Sequence, residues 1–149
     1  NRNKYIKIGF YSRDYIINNI LPETDIFVSP TYSESFGFSL VEAMAFSIPV
    51  ISTNISAIPE IVSDGLSGFL IDVNSFNLDK KTKNKYQFDL TEDEIISIDK
   101  QLHTFLEMLI VNKEKRLEFG MYGLDIARNK FSFDKRNRIM KKHYEEALS

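Results

Sequence analysis

Glu34 and Glu42 bracket the segment Glu34-Ser35-Phe36-Gly37-Phe38-Ser39-Leu40-Val41-Glu42, two carboxylates around one glycine. An ionised carboxylate accepts several hydrogen bonds at once, so such a pair suits a ligand rich in hydroxyls. Gly37 has no Cβ and lets a ligand approach the backbone closely. From Phe38 to Phe46 the chain is apolar over a helix length. Free backbone N–H groups near Gly37 to Ser39, where that helix begins, favour an anion. Glu42 is the only ionisable residue of the helix, and its apolar surroundings predict a helix packed within the protein, where a carboxylate needs a partner. A ligand hydroxyl is one such partner. The other is an Arg or Lys elsewhere in the chain, with Glu34 then a solvated loop residue, because paired carboxylates also occur in structural networks.

The elements that must hold these residues are legible on either side. Ile26-Phe27-Val28 is a short β-branched and aromatic run, and Ser29-Pro30-Thr31-Tyr32-Ser33 breaks it before the helix. Strand, loop and helix in that order put the loop at the carboxyl end of the strand, where open α/β sheets bind ligands. Strands are predicted at Tyr5 to Phe10, Ile26 to Ser29, Pro49 to Ser52 and Phe69 to Ile71, alternating with helical segments up to about Val73. That alternation predicts an α/β class with a parallel sheet flanked by helices.

The rest of the chain reads as helical. Thr91-Glu92-Asp93-Glu94 has the spacing of a capping box. A helix should run from there to about Val111, with Ile95, Ile98, Leu102, Phe105, Leu106 and Leu109 on its buried stripe. Lys113 to about Asn129 should form a second helix, weakened by Gly120 and Gly123, and Phe133 to about Ala147 a third. Residues 1–149 thus form one domain: a β/α core over 1–73, a polar insertion over 74–90 and a helical part over 91–149.

Composition agrees with a single ordinary globule. The 149 residues carry a net charge of -2, and 43% are hydrophobic. No basic stripe marks a nucleic-acid binder. There is no cysteine, so disulfides and thiolate metal sites are excluded and a cytoplasmic location is expected. No apolar run approaches the ~18 residues of a membrane span. His103 and His143 stand alone on predicted helices and suit surface or structural roles, and metal binding has no support.

Glu34-Ser35-Phe36-Gly37-Phe38-Ser39-Leu40-Val41-Glu42-Ala43-Met44-Ala45 resembles the E-x-F-G-x-x-x-x-E-A-x-A signature of group 1 glycosyltransferases, retaining nucleotide-sugar-dependent enzymes of GT-B fold. Asp25 to Pro30 resembles the strand before the signature, and Pro49-Val50-Ile51 the next one. Ile58-Pro59-Glu60-Ile61-Val62 resembles the following short helix, and Asp64-Gly65 with Ser67 to Ile71 the D-G-x-x-G-x-L-V turn and strand. Lys130-Phe131-Ser132-Phe133 resembles the start of the last helix. The resemblance implies a Rossmann-like carboxy-terminal domain that binds the donor.

It also implies roles. Glu34 approaches the donor sugar near the reacting centre and counts as the catalytic residue, while Glu42 bonds the nucleotide ribose. Backbone amides of Phe36, Gly37, Phe38 and Ser39 hold sugar hydroxyls and the diphosphate, although Phe36 suits a core anchor equally well. No cofactor or metal is implied beyond the nucleotide-diphosphate sugar itself, and the acceptor is a glycan, a lipid-linked molecule or another hydroxyl compound. Tyr11, Ser12 and Arg13 either edge the nucleobase or phosphate site or form an ordinary turn. Lys80, Lys81, Lys83 and Lys85 either face water or make peripheral contact with an anionic membrane surface, as suits a maker of lipid-linked polysaccharide.

The sequence departs from the family in places. Ser47 stands where a glycine usually follows the signature helix, and Ser56-Ala57 where a Gly-Gly pair usually precedes Ile58, which puts the local turns in doubt. The Arg and Lys that grip the diphosphate and the acceptor-binding amino-terminal domain are absent. The reading is therefore a carboxy-terminal fragment, inactive in isolation. Two alternatives stand beside transfer: a sugar-nucleotide or partner-binding module of the same fold without turnover, and a GT-B sugar-nucleotide epimerase.

Overall fold

A computed structural model describes residues 8–74, 76 and 90–148. Three strands, β1 (Phe27–Ser29), β2 (Val50–Thr53) and β3 (Gly68–Ile71), lie side by side in that order and all run parallel. Phe27 sits opposite Val50, and Val50 opposite Gly68. Ile8 to Phe10, the described part of the strand expected over Tyr5 to Phe10, lies outside the sheet. Ile8 and Phe10 are almost fully exposed, and among the described residues no sheet edge or core meets them to support an extended run.

The helical elements are α1 (Arg13–Tyr15), α2 (Phe38–Ala45), α3 (Ile58–Ile61), α4 (Glu92–Val111), α5 (Lys113–Phe131) and α6 (Phe133–Ala147). A π-helical turn (Ile16–Ile20) and a 3-10 turn (Leu21–Glu23) extend α1 toward β1. The capping box is made: the Thr91 hydroxyl accepts from the Glu94 N–H at 3.3 Å, and a Glu94 carboxylate oxygen accepts from the Thr91 N–H at 2.7 Å. Asn112 and Ser132 cap α5 and α6 with a single side-chain bond each, accepting from the N–H of Lys115 and of Lys135, which fixes the two breaks between the long helices.

Side chains alternate across the sheet and so divide between two cores. Val50 and Leu70 join Leu40, Met44, Ile58 and Ala127 on one face. Ile51, Phe69 and Ile71 join Ile98, Leu109 and Phe119 on the other. Both faces of β2 and β3 are therefore covered, which is why their sequences are nearly continuous apolar runs rather than alternating ones. α5 serves both cores, with Phe119 on one side and Ala127 on the other. On α4, Ile98 and Leu109 are buried and Leu102, Phe105 and Leu106 pack against the second core. Ile95 differs from expectation and is half exposed, since it lies in the first turns, before the helix reaches the sheet.

The lysines at 80, 81, 83 and 85 lie outside the described residues. No helix among the described residues is long and apolar enough to cross a membrane.

Candidate functional site

The loop from β1 to α2 is tied down by β2. Ser52 Oγ donates to the Ser29 carbonyl at 2.7 Å, and Thr53 Oγ1 donates to the Thr31 carbonyl. Both hydroxyl residues are wholly buried, so these bonds are made away from water and hold the loop to the sheet. Thr31 then turns the chain, its Oγ1 accepting from the Ser33 N–H at 3.3 Å and donating to the Ser33 carbonyl at 2.9 Å.

Glu34 closes the loop on itself. Its Oε1 accepts from the backbone N–H of Ser35 at 2.9 Å and of Phe36 at 3.2 Å. Gly37 follows with φ of 97°, a left-handed conformation, as the cap before α2. A Cβ there would stand 3.2 Å from Leu40 Cδ1 and 3.3 Å from Ile61 Cδ1, so space and dihedral angle both call for glycine. Phe36 anchors the turn: its ring lies 4.6 Å from that of Phe38 and 5.7 Å, edge-on, from that of Phe131, and it packs against the first core.

α2 is less enclosed than its composition implies. Leu40, Ala43 and Met44 are buried, but Phe38 is 72% exposed and Ser39 is also exposed. Glu42 lies on the boundary, its side chain 27% exposed, and is paired. Both Arg13 contacts fall on one carboxylate oxygen: Nε donates to Oε1 at 2.7 Å, and Nη2 stands 2.5 Å from the same atom. The apolar run is continuous because one side meets the core and the other lines a cleft.

That cleft has a volume of about 520 Å³, within the range of small-molecule sites. α2 supplies Phe38, Val41 and Glu42 to its wall, the preceding loop Phe36, and the first helical segment Arg13. The junction of α5 and α6 supplies Lys130, Phe131, Ser132, Phe133 and Arg136. Lys130 Nζ donates to the Glu60 carbonyl, while the Arg136 guanidinium sits 4.9 Å over the Phe133 ring. Of the residues singled out from sequence, Phe36, Phe38 and Glu42 come together here. Glu34, Gly37 and Ser39 do not line the cleft, although Glu34 Cγ would lie 3.8 Å from a Cβ on Gly37.

The sequence model described as "Glycosyl transferases group 1" matches residues 1–84, more than half of the chain. The chain belongs to that family. It is 34% identical over 130 residues to an uncharacterised glycosyltransferase of Methanocaldococcus jannaschii, a match covering 87% of this chain and 30% of that protein. It is 41% identical over 61 residues to the D-inositol 3-phosphate glycosyltransferase of Mycolicibacterium smegmatis, covering 41% of this chain and 14% of that one. The chain thus spans less than a third of the length of these curated relatives. Its fold is similar to the C-terminal domain of a group 1 glycosyl transferase from Francisella tularensis, with a TM-score of 0.60, 27% identity, and 85% of this chain and 53% of that one covered. A sucrose-phosphate synthase from Thermosynechococcus elongatus shares the fold, with a TM-score of 0.62 at 18% identity over 83% of this chain and 25% of that one. The architecture is that of a GT-B C-terminal domain.

Within this family member, two serines stand at positions where the backbone turns left-handed. Ser47 takes φ of 59° and Ser56 φ of 48°, both in the left-handed region. An L-residue is strained in that region, so both turns carry strain that a glycine would not. His103 and His143 lie on helix surfaces beside carboxylates of their own helices, Glu107 at 3.8 Å and Glu146 at 3.6 Å. Among the described residues no group of three His, Asp or Glu could hold a metal ion.

Sequence reasoning did not pick out Lys130 or Arg136 as cleft residues, and it left Arg13 undecided. Lys130 and Phe133 were visible as part of the last-helix motif. Nothing local ties Arg13 to Glu42 or brings Arg136 to the cleft, because both are placed by packing between distant segments.

Proposed function

We propose that this domain binds a nucleotide-diphosphate sugar, and that the enzyme to which it belongs transfers the sugar with retention to a glycan or lipid-linked acceptor. The observation that carries this reading is Glu42, a partly exposed carboxylate on the wall of a cleft beside the start of α2. In this reading Glu42 accepts hydrogen bonds from the ribose hydroxyls, and the amides of Gly37, Phe38 and Ser39 receive the diphosphate and sugar, the Phe36 N–H being taken by Glu34 Oε1. The nucleoside diphosphate departs from the anomeric carbon, and the helix-start amides stabilise the negative charge it gains. The acceptor attacks from the same face. Glu34 positions the sugar and stabilises positive character on its ring. Its carboxylate is held close to the backbone of Ser35 and Phe36, which fits a fixed positioning group.

Titration of UDP, GDP and ADP against the protein, repeated with Glu42→Gln, tests this. At least one nucleotide should bind, and the variant should bind it about tenfold more weakly, the worth of a charged hydrogen bond. Equal affinity in the two proteins would remove the ribose role of Glu42. Binding without sugar transfer by the full-length enzyme would favour a binding module of the same fold.

A further inference from the structure

The ion pair between Arg13 and Glu42 is side-on. Nε and Nη2 of Arg13 both approach Oε1, at 2.7 and 2.5 Å, and Oε2 accepts no hydrogen bond from the described residues. The commoner fork-to-fork pairing of guanidinium and carboxylate occupies both oxygens. Here one oxygen is held by the cation and the other keeps its two lone pairs. Both residues line the cleft.

This geometry is supported from below. Ile16 and Ile17 of the π-helical turn, and Leu21 after it, pack against the core that holds Leu40, Ala43 and Met44 of α2. The two segments are thereby held together across 29 residues of sequence, and Arg13 is delivered to Glu42 by that contact. Ser12 caps α1 by accepting from the Tyr15 N–H at 3.2 Å, which fixes the backbone from which Arg13 projects. The other cations of the cleft are engaged elsewhere, Lys130 with the Glu60 carbonyl and Arg136 with Asn137 and the Phe133 ring. With the Arg13 side chain 70% exposed, the pair contributes little to stability, so its geometry is not explained by folding alone.

We propose that Arg13 is a positioning residue for nucleotide binding: it fixes Glu42 through Oε1 so that Oε2 is presented to a pair of neighbouring ribose hydroxyls. The inference rests on the ribose role proposed above for Glu42. The ligand class it specifies is a nucleotide with both ribose hydroxyls intact, and Arg13 itself touches neither phosphate nor base.

The test compares a nucleoside diphosphate with its 2′,3′-dideoxy counterpart, using the tightest binder among UDP, GDP and ADP, against the wild type, Arg13→Gln, Arg13→Lys, Glu42→Gln and the Arg13→Gln/Glu42→Gln double variant. The wild type should prefer the hydroxylated nucleotide about tenfold. Arg13→Gln should lose most of that preference while its affinity for the dideoxy nucleotide stays unchanged, which also shows that the variant is folded. Arg13→Lys should retain part of the preference, since an ammonium holds the oxygen at one point only. The double variant should lose no more than Glu42→Gln alone. Equal weakening toward both nucleotides in Arg13→Gln would mean that Arg13 contacts the ligand directly, and tighter binding would mean that it competes with the ligand; either result overturns the proposal. A preference abolished by Glu42→Gln but untouched by Arg13→Gln overturns it while leaving the ribose role intact. A wild type with no preference overturns both.

Discussion

Gly120 in the middle of α5 lies against the turn that follows α2, so close that a Cβ on it would stand 2.0 Å from the carbonyl oxygen of Ser47. The obstacle is backbone, which cannot rotate aside as a side chain would. Gly120→Ala should therefore destabilise the protein by about 3 kcal/mol, even though alanine favours an isolated helix by roughly 1 kcal/mol. Chemical denaturation decides the sign: a stabilised variant would show that α5 does not approach the turn this closely.

That turn, and the one before α3, hold the opposite opportunity. Ser47 and Ser56 are exposed and sit at φ of 59° and 48°, where an L-residue is strained. Ser47→Gly and Ser56→Gly should each stabilise the fold by about 1 kcal/mol, the relieved strain exceeding the entropy of a freer unfolded chain. A rise in Tm of about 4 °C for either variant is the expected readout.

Thr53→Val keeps the volume of a buried side chain and removes its hydroxyl. The Thr31 carbonyl then loses the donor that ties the β1–α2 loop to the sheet. A loss of about 1 to 3 kcal/mol is expected in urea denaturation, the cost of an unmet buried acceptor. If the loop carries the donor site, nucleotide affinity should fall as well, measured by the same titration at a temperature where the variant is folded.

Burial pushes the Tyr32 phenol above its ordinary 10.0. The raised value means that the folded state holds this proton more tightly than the unfolded chain does. Its contribution is fully present below pH 10 and is lost as pH rises through the elevated value. Between pH 9 and 12, roughly, wild-type stability should fall more steeply than that of Tyr32→Phe. Parallel curves would show that the phenol is as solvated in the folded state as in the unfolded one.

Much of this protein was legible in its sequence because the deciding forces were local. Three short apolar runs became the three parallel strands, with ends moved by one residue at most in β2 and β3. Thr91 with Glu94 announced the start of α4, since a cap is made by residues three apart. The Glu34 to Glu42 segment announced a strand, loop and helix in order, and Gly37 at a position where only its left-handed backbone fits. Its resemblance to the group 1 signature pointed to the family that the chain belongs to.

What the tertiary structure decided lay between segments distant in sequence. Glycines that weaken α5 as a lone helix turned out to include the one that lets it lie against Ser47. An apolar run that read as a helix buried all round proved to have one face on the core and the other on a cleft, because composition records how apolar a helix is and not what lies opposite each side. Glu42 could have faced a ligand or a cation. Only the packing of the first helical segment against α2 brought Arg13 to one of its two oxygens, and a contact across 29 residues depends on where two surfaces meet rather than on any spacing along the chain.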